Sequence, residues 1–240
     1  MKMVAERTSF HTTLANEAFV AGYSERGYAS IIIGDALSRI GVKIKSVHAA
    51  GGPYQVGKVE TPFMLKAVQE ETLPSEYLYM FGMSSISFSS TVPNVPNYGQ
   101  KEDIFSSEWR EKIKAWVDEG SIAENELSHR EWWFAIRKDL REVIENALEN
   151  GTQNDICKNP TQVLKFLCAA IMEQDVDDII SNNSDYDLIL CHGSDDELID
   201  PKNIPEKLPD NVAIKIVPGS HSDAAYLCFL DAFQYLFFNT

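Results

Sequence analysis

Gly22-Tyr23-Ser24-Glu25-Arg26-Gly27 decides how the rest of the chain is read. The apolar run Ala18-Phe19-Val20-Ala21 leads into it, and a helical run, Tyr28 to Ile40, follows at once. A strand, a sharp turn with a serine at its tip and then a helix is the setting that exposes a serine as a nucleophile. The pattern of such a turn is G-x-S-x-G. Gly22 and Ser24 fit it, and Arg26 stands where the last glycine belongs.

Working outward, two more short apolar runs read as buried strands. They are Ser46 to Ala50, with Val42 and Ile44 before it, and Tyr186 to Cys191; a fourth strand, Val212 to Val217, alternates more. Each of the four ends at a glycine-containing turn: Gly22, Gly51-Gly52, Gly193 and Pro218-Gly219. Continuous apolar strands with helices between them predict an α/β fold, a mostly parallel sheet of about four strands covered on both faces. Tyr28, Ile32, Ala36 and Ile40 give the first crossover helix its period, and Gly41 ends it. A last helix is expected from about Asp223 to Phe238, with Tyr226, Leu227, Leu230, Phe233 and Leu236 setting the period.

Between the second and third strands lies a long insertion, residues 56–185, that reads as mostly helical. Thr61-Pro62 has the form of an N-cap followed by proline. Trp109, Ile113, Trp116 and Val117 make a helical stripe. Ser128 to Glu131 fits a capping box opening a helix with Trp132, Ile136, Leu140, Val143 and Ala147 on one face, closed by Asn150-Gly151. Asn159-Pro160 starts another, with Val163, Leu167, Ala170 and Ile171. An insertion of this size exceeds a crossover, so it is expected to form a helical cap within one domain spanning residues 1–240. Phe81 to Phe88, followed by Pro93 and Pro96, is apolar and small, and reads either as a lip over a pocket or as a packed loop.

Composition narrows the function classes. Hydrophobic residues make up 44% of 240, enough for a large core and too many for disorder. The net charge of −15 repels phosphate backbones and anionic lipid, which argues against nucleic acid as a partner. No apolar run is long enough to span a membrane, and Met1 to His11 is too polar for a signal peptide. Cys157, Cys168, Cys191 and Cys228 show no ligand-like spacing; Cys191 in a strand and Cys228 in a helix read as core thiols and not as disulfide partners. Asp175, Asp177 and Asp178 lack the glycine and closing glutamate of a calcium loop, which argues against a metal there; the serine chemistry set out next needs neither a metal nor an organic cofactor.

A serine hydroxyl needs a base within hydrogen-bond reach and a third group to orient that base. The chain offers both, in the order serine, acid, histidine. After the third strand comes His192-Gly193-Ser194-Asp195-Asp196-Glu197-Leu198-Ile199, where Asp195 and Asp196 compete for the acid. The spacing H-G-x-x-D-x-x-I favours Asp196. After the fourth strand comes Pro218-Gly219-Ser220-His221, which makes His221 the candidate base. His11 and His129 read as surface or cap residues, His48 as a satisfied core histidine and His192 as a brace for the acid turn. The helix behind Ser24 points its N-terminus at the site, and the backbone N–H of Glu25 is the candidate oxyanion donor.

On these motifs the chain resembles the C-terminal part of an α/β-hydrolase, similar to esterase or lipase-like members related to the prolyl-oligopeptidase group. Their elbow, G-Y-S-x-G-G-Y-A, compares with Gly22 to Ala29; their G-P-Y compares with Gly52-Pro53-Tyr54; the H-G-x-x-D turn and the P-G-x-H segment complete the likeness. The resemblance implies a partial α/β-hydrolase fold and a serine hydrolase of small-molecule carboxylic esters, with Ser24 as nucleophile, Asp196 as orienting acid and His221 as base; the aromatic-rich insertion points to an apolar acyl or alcohol group. It also implies about four further strands before Ala18, where this chain has only about seventeen residues. The expectation is an N-terminally truncated domain whose first strand has an exposed edge prone to self-association. The glycine replaced by Arg26 is expected to let the helix sit close behind the strand, so either Arg26 displaces the helix, and Ser24 with it, or the missing strands leave space for its side chain. Two further readings stand beside the esterase: a degenerate hydrolase domain that binds without catalysis, and a peptidase of prolyl-oligopeptidase type.

Overall fold

The computed structural model describes residues 17–80, 82, 104–122 and 127–238. The lip residues Phe81, Met83 to Phe88, Pro93 and Pro96, together with His11, lie outside the described residues. In chain order the elements are β1 (Glu17–Tyr23), α1 (Glu25–Arg39), β2 (Lys43–Ala50), a π-helical turn (Val56–Glu60), α2 (Thr61–Gln69), α3 (Ser107–Asp118), α4 (His129–Ala135), α5 (Lys138–Glu149), α6 (Lys165–Met172), α7 (Asp177–Ser181), β3 (Asp187–Gly193), β4 (Val212–Val217) and α8 (His221–Phe238). They form two compact units. One comprises Met1–Gly52, Asp178–Ser194 and Glu206–Thr240; the other comprises Pro53–Asp177 and Asp195–Pro205.

The first unit is a four-stranded sheet in the order β1-β2-β3-β4, every neighbouring pair parallel. The two inner strands are the most apolar, and Val47, Ala49, Leu188 and Leu190 are fully enclosed, as a parallel strand covered on both faces requires. The carboxyl ends of the strands are tied one to the next. Ser24 N–H donates to Ala50 O at 2.8 Å, Gly51 N–H to Cys191 O at 2.8 Å and Ser194 N–H to Val217 O at 2.8 Å. This edge of the sheet is therefore fixed where the loops after the strands leave it.

The disulfide Cys191–Cys228 corrects the reading of those two cysteines as thiols, and a second disulfide joins Cys157 and Cys168. Helical periodicity turns Ala224, Leu227 and Cys228 of α8 onto the sheet, where they pack with Cys191 of β3. That brings the two α-carbons to 5.8 Å, within bridging range. The partners are 37 residues apart in sequence, so only the docking of α8 reveals the pairing.

His48, expected as a satisfied core histidine, is buried but its Nε2 has no hydrogen-bond partner. It is held by rings, with Phe19 at 5.0 Å and Tyr235 edge-on at 4.9 Å. Burial pushes the imidazole down to about 4; Asp231 opposes this and Lys215 adds to it.

The second unit is helical around one apolar core that includes Phe105, Ile113, Trp132, Ile136 and Leu140. The capping box at Ser128 and Glu131 is present, with both reciprocal bonds made. The single helix expected after it is instead two, α4 and α5. The chain breaks at Ile136, which bridges to Phe105, while Arg137 N–H donates to Ile104 O at 2.9 Å. Tertiary pairing with that segment outweighs one more helical turn. Thr61 is likewise not a cap: the helix is entered from the π-helical turn, and Glu60 occupies the capping position in helical geometry.

A neutral buried histidine sets the sign of one pH effect. Between about pH 6.5 and pH 4 the unfolded chain takes up a proton at His48 that the folded chain refuses, so stability falls as pH falls through that window. Thermal melts of His48→Phe should show a shallower acid limb than the wild type; equal slopes would remove His48 as the cause.

Candidate active site

The elbow is built from contacts that tolerate only glycine. A Cβ on Gly22 would lie 2.0 Å from the carbonyl oxygen of Arg26, and one on Gly27 would lie 2.3 Å from that of Ala50. Without those atoms α1 starts at Glu25, immediately after the serine, three residues earlier than its apolar period suggests. Ser24 is left at φ 59°, ψ −129°, a conformation that costs on the order of 1–3 kcal/mol for a residue with a side chain. Three backbone bonds hold it there: its N–H to Ala50 O, and its own carbonyl accepting from Gly27 N–H at 2.8 Å and Tyr28 N–H at 3.2 Å.

The close approach of helix to sheet, assigned from sequence to the position of Arg26, is made by Gly27. Arg26 is exposed. It therefore neither wedges α1 away from β2 nor moves the serine.

His221 is the first residue of α8, not a loop residue before it. The helix starts two residues earlier than expected because Ser220 and Asp223 cap each other. Ser220 Oγ–H donates to Asp223 Oδ2 at 2.8 Å, and Asp223 N–H donates to Ser220 Oγ at 3.3 Å. Gly219, at φ +119°, permits the turn before it. The buried imidazole then meets the serine, with Nε2 3.0 Å from Ser24 Oγ across 197 residues of sequence. In the tautomer with Nε2 unprotonated, the hydroxyl donates to the ring, which is the arrangement of a base poised to take that proton.

Tyr23 is a residue that sequence reasoning passed over. Its hydroxyl donates to the backbone carbonyl of His221, and its ring lies 5.1 Å from the imidazole. Gly51 makes room for that ring, since a Cβ there would come within 2.8 Å of it. The available signal was position: the middle residue of Gly22-Tyr23-Ser24 sits at the carboxyl end of β1 beside the serine.

The two candidate acids are told apart within the second unit. Asp196 is buried and its Oδ1 accepts from the backbone N–H groups of Leu198 at 3.0 Å and Ile199 at 2.9 Å. Asp195 is exposed. The structure brings Ser24 and His221 together in the first unit, whereas Asp196 belongs to the second. Glu25 opens α1, so its backbone N–H is one of those a helix leaves without an internal acceptor. His129 is engaged elsewhere, Nε2 lying 2.6 Å from Leu73 O, and His192 is fully buried. Among the described residues no three His, Cys, Asp or Glu side chains are grouped to hold a metal, and no helix is long and apolar enough to cross a membrane.

No protein-family model matches the sequence, and no curated protein matches it either. Solved structures do share its architecture. A Legionella pneumophila protein described as a candidate hydrolase superposes with a TM-score of 0.62 at 17% identity, over 98% of this chain. The rice cell wall degrading esterase LipA from Xanthomonas oryzae gives 0.59 at 14% identity, over 90% of this chain. The chain has an α/β-hydrolase fold. It spans 58% of the length of the first of these proteins and 55% of the second. In an α/β-hydrolase fold chemistry gathers at the carboxyl ends of the parallel strands. Ser24 follows the end of β1, Asp196 comes shortly after β3, and His221 comes shortly after β4.

The elbow geometry separates its two neighbouring positions. Gly27→Ala should drive α1 off β2, costing about 1–3 kcal/mol in stability and most of the reactivity of Ser24 toward a fluorophosphonate. Arg26→Gly should leave that reactivity within about twofold, because an exposed side chain away from special features contributes little. A large gain from Arg26→Gly would show that the arginine distorts the serine after all.

Proposed function

We propose that the chain is a serine hydrolase that cleaves carboxylic esters through an acyl-enzyme. The observation that carries this reading is the 3.0 Å approach of His221 Nε2 to Ser24 Oγ, at an elbow whose positive φ exposes the hydroxyl. In the first half-reaction Ser24 Oγ attacks the ester carbonyl while His221 Nε2 takes its proton. The Glu25 N–H faces the oxyanion as it forms, aided by the positive end of α1. The tetrahedral adduct collapses, the alcohol leaves with the proton from His221, and the acyl group stays on Ser24. Water then attacks that ester with His221 again as base, which frees the acid and restores the hydroxyl.

Asp196 is assigned as the acid that orients His221. The support is the order serine, acid, histidine, and a carboxyl already fixed by two amides of its own turn. No cofactor enters the reaction. The likeness to LipA, an esterase by name, supports an ester over a peptide as substrate. The elbow sequence Gly22 to Ala29 is what supports a peptidase of prolyl-oligopeptidase type.

A fluorophosphonate probe should label the wild-type chain at Ser24, and Ser24→Ala should abolish the label. His221→Gln should slow labelling by at least about a hundredfold, the usual contribution of a general base. Asp196→Asn should lower hydrolysis of a p-nitrophenyl ester by up to about 10⁴-fold, the scale seen when the orienting carboxylate is neutralised. A folded sample that neither labels nor turns over esters would overturn the enzyme reading and leave a binding role.

A further inference from the structure

Glu60 ends the π-helical turn Val56–Glu60, where the chain enters α2. Its side chain is 5% exposed, and neither carboxyl oxygen has a hydrogen-bond partner. An ionised carboxylate in such a place costs several kcal/mol, and nothing in the proposed reaction uses it. The turn itself is firmly held. Gly57 N–H donates to Asp175 Oδ1 at 2.7 Å, and Lys58 Nζ reaches Asp177 Oδ2 at 2.6 Å.

The same stretch is bound to the segment that carries the candidate acid. Tyr54 N–H donates to Asn203 Oδ1 at 2.6 Å, and Gln55 Nε2 donates to Asn203 O at 2.9 Å. Asn203 follows Asp200, whose Oδ1 caps Lys202 N–H at 2.9 Å, and Asp200 follows the Asp196 turn. The charged groups that act on Glu60 are the carboxyls of Asp200 and Asp196. All of these residues belong to the second unit. Glu60 thus feels two carboxyl groups that already serve as acceptors for backbone amides.

We propose that Glu60 is a positioning residue for the turn carrying Asp196: kept neutral, it lets that turn close beside it, and its ionisation loosens the turn. Burial first, then Asp200 and Asp196, hold its proton well above the ordinary carboxyl range; the backbone N–H of Asp200 opposes this, too weakly and too poorly placed to count as a bond. The sign follows. The folded chain keeps a proton that the unfolded chain releases above about pH 4.5, so this contribution to stability falls as pH rises and is gone above the folded value. Asp175, raised to about 6 chiefly by its burial, works in the same direction. A comparison between variants therefore isolates Glu60 where a single curve does not.

The test compares the wild type with Glu60→Gln, which keeps the shape and removes the charge. Hydrogen exchange, corrected for intrinsic rates, is followed over residues 195–205 from pH 6 to pH 9. As pH rises toward the Glu60 transition, the Leu198 and Ile199 amides of the wild type should lose up to about tenfold in protection for each pH unit and level off above it, while those of Glu60→Gln stay flat. Fluorophosphonate labelling should show an alkaline decline in the wild type that Glu60→Gln lacks. Equal exchange profiles in the two proteins would overturn the proposal. Different exchange profiles with no labelling of either at any pH would support it and overturn only the serine hydrolase reading, on which the purpose of the turn rests. Should Glu60→Gln not fold, ¹³C NMR of wild-type glutamate carboxyls decides: one resonance titrating far above the rest supports the proposal, and all titrating in the ordinary range overturns it.

Discussion

Everything at the elbow depends on the carbonyl of Ala50. It accepts the N–H of Ser24, and it sits where a Cβ on Gly27 would have to go. The last residue of β2 thus fixes both the serine's backbone and the distance of α1 from the sheet. A helix pressed this close has no room to begin later, so it begins at Glu25, and its free amides fall next to Ser24. The strain at Ser24 follows from that placement. One donated and two accepted backbone bonds hold the serine in a conformation it would not adopt alone.

The sequence showed the sheet and missed the seams. Strands with continuous apolar runs and glycine turns were legible because a parallel strand buried on both faces leaves no other pattern. Val212 to Val217 was placed to the residue, and the other strands differ only at their ends. Capping signals were legible where the cap is local, as at Ser128, and misleading where tertiary contacts intervene. Thr61-Pro62 looks like a helix start, yet the chain arrives there already coiled. The break at Ile136 depends on a segment more than 30 positions earlier in the chain, which no local period records.

The site was legible to the same degree, for the same reason. Ser24 and His221 stand out because the turns bearing them need glycine and follow strands. Their meeting at 3.0 Å is a property of the sheet order, not of either motif. Asp196 differs from Asp195 by burial and by two amide bonds, neither visible in a run of acidic residues. Cys191 and Cys228 were misread because a strand thiol and a helix thiol look inert until α8 is laid across β3. Glu60 was passed over because a glutamate in a mixed helical stretch reads as solvated surface, and only its burial makes it unusual.

Tyr23 explains why so long a separation in sequence does not loosen the dyad. The serine is fixed by β2 through Ala50, and the residue before it reaches the backbone of His221 directly. Ser24 and His221 are thus linked by a path that leaves β1 at Tyr23 and arrives at the first residue of α8. The alternative path runs through 197 residues and both units. Within the first unit the histidine could leave the serine only by breaking the Tyr23 bond, lifting the ring off Gly51 and undoing the Ser220–Asp223 cap. Ser24 and His221 are consequently held by the sheet and its last helix, whereas Asp196 belongs to the helical unit, which also buries Glu60.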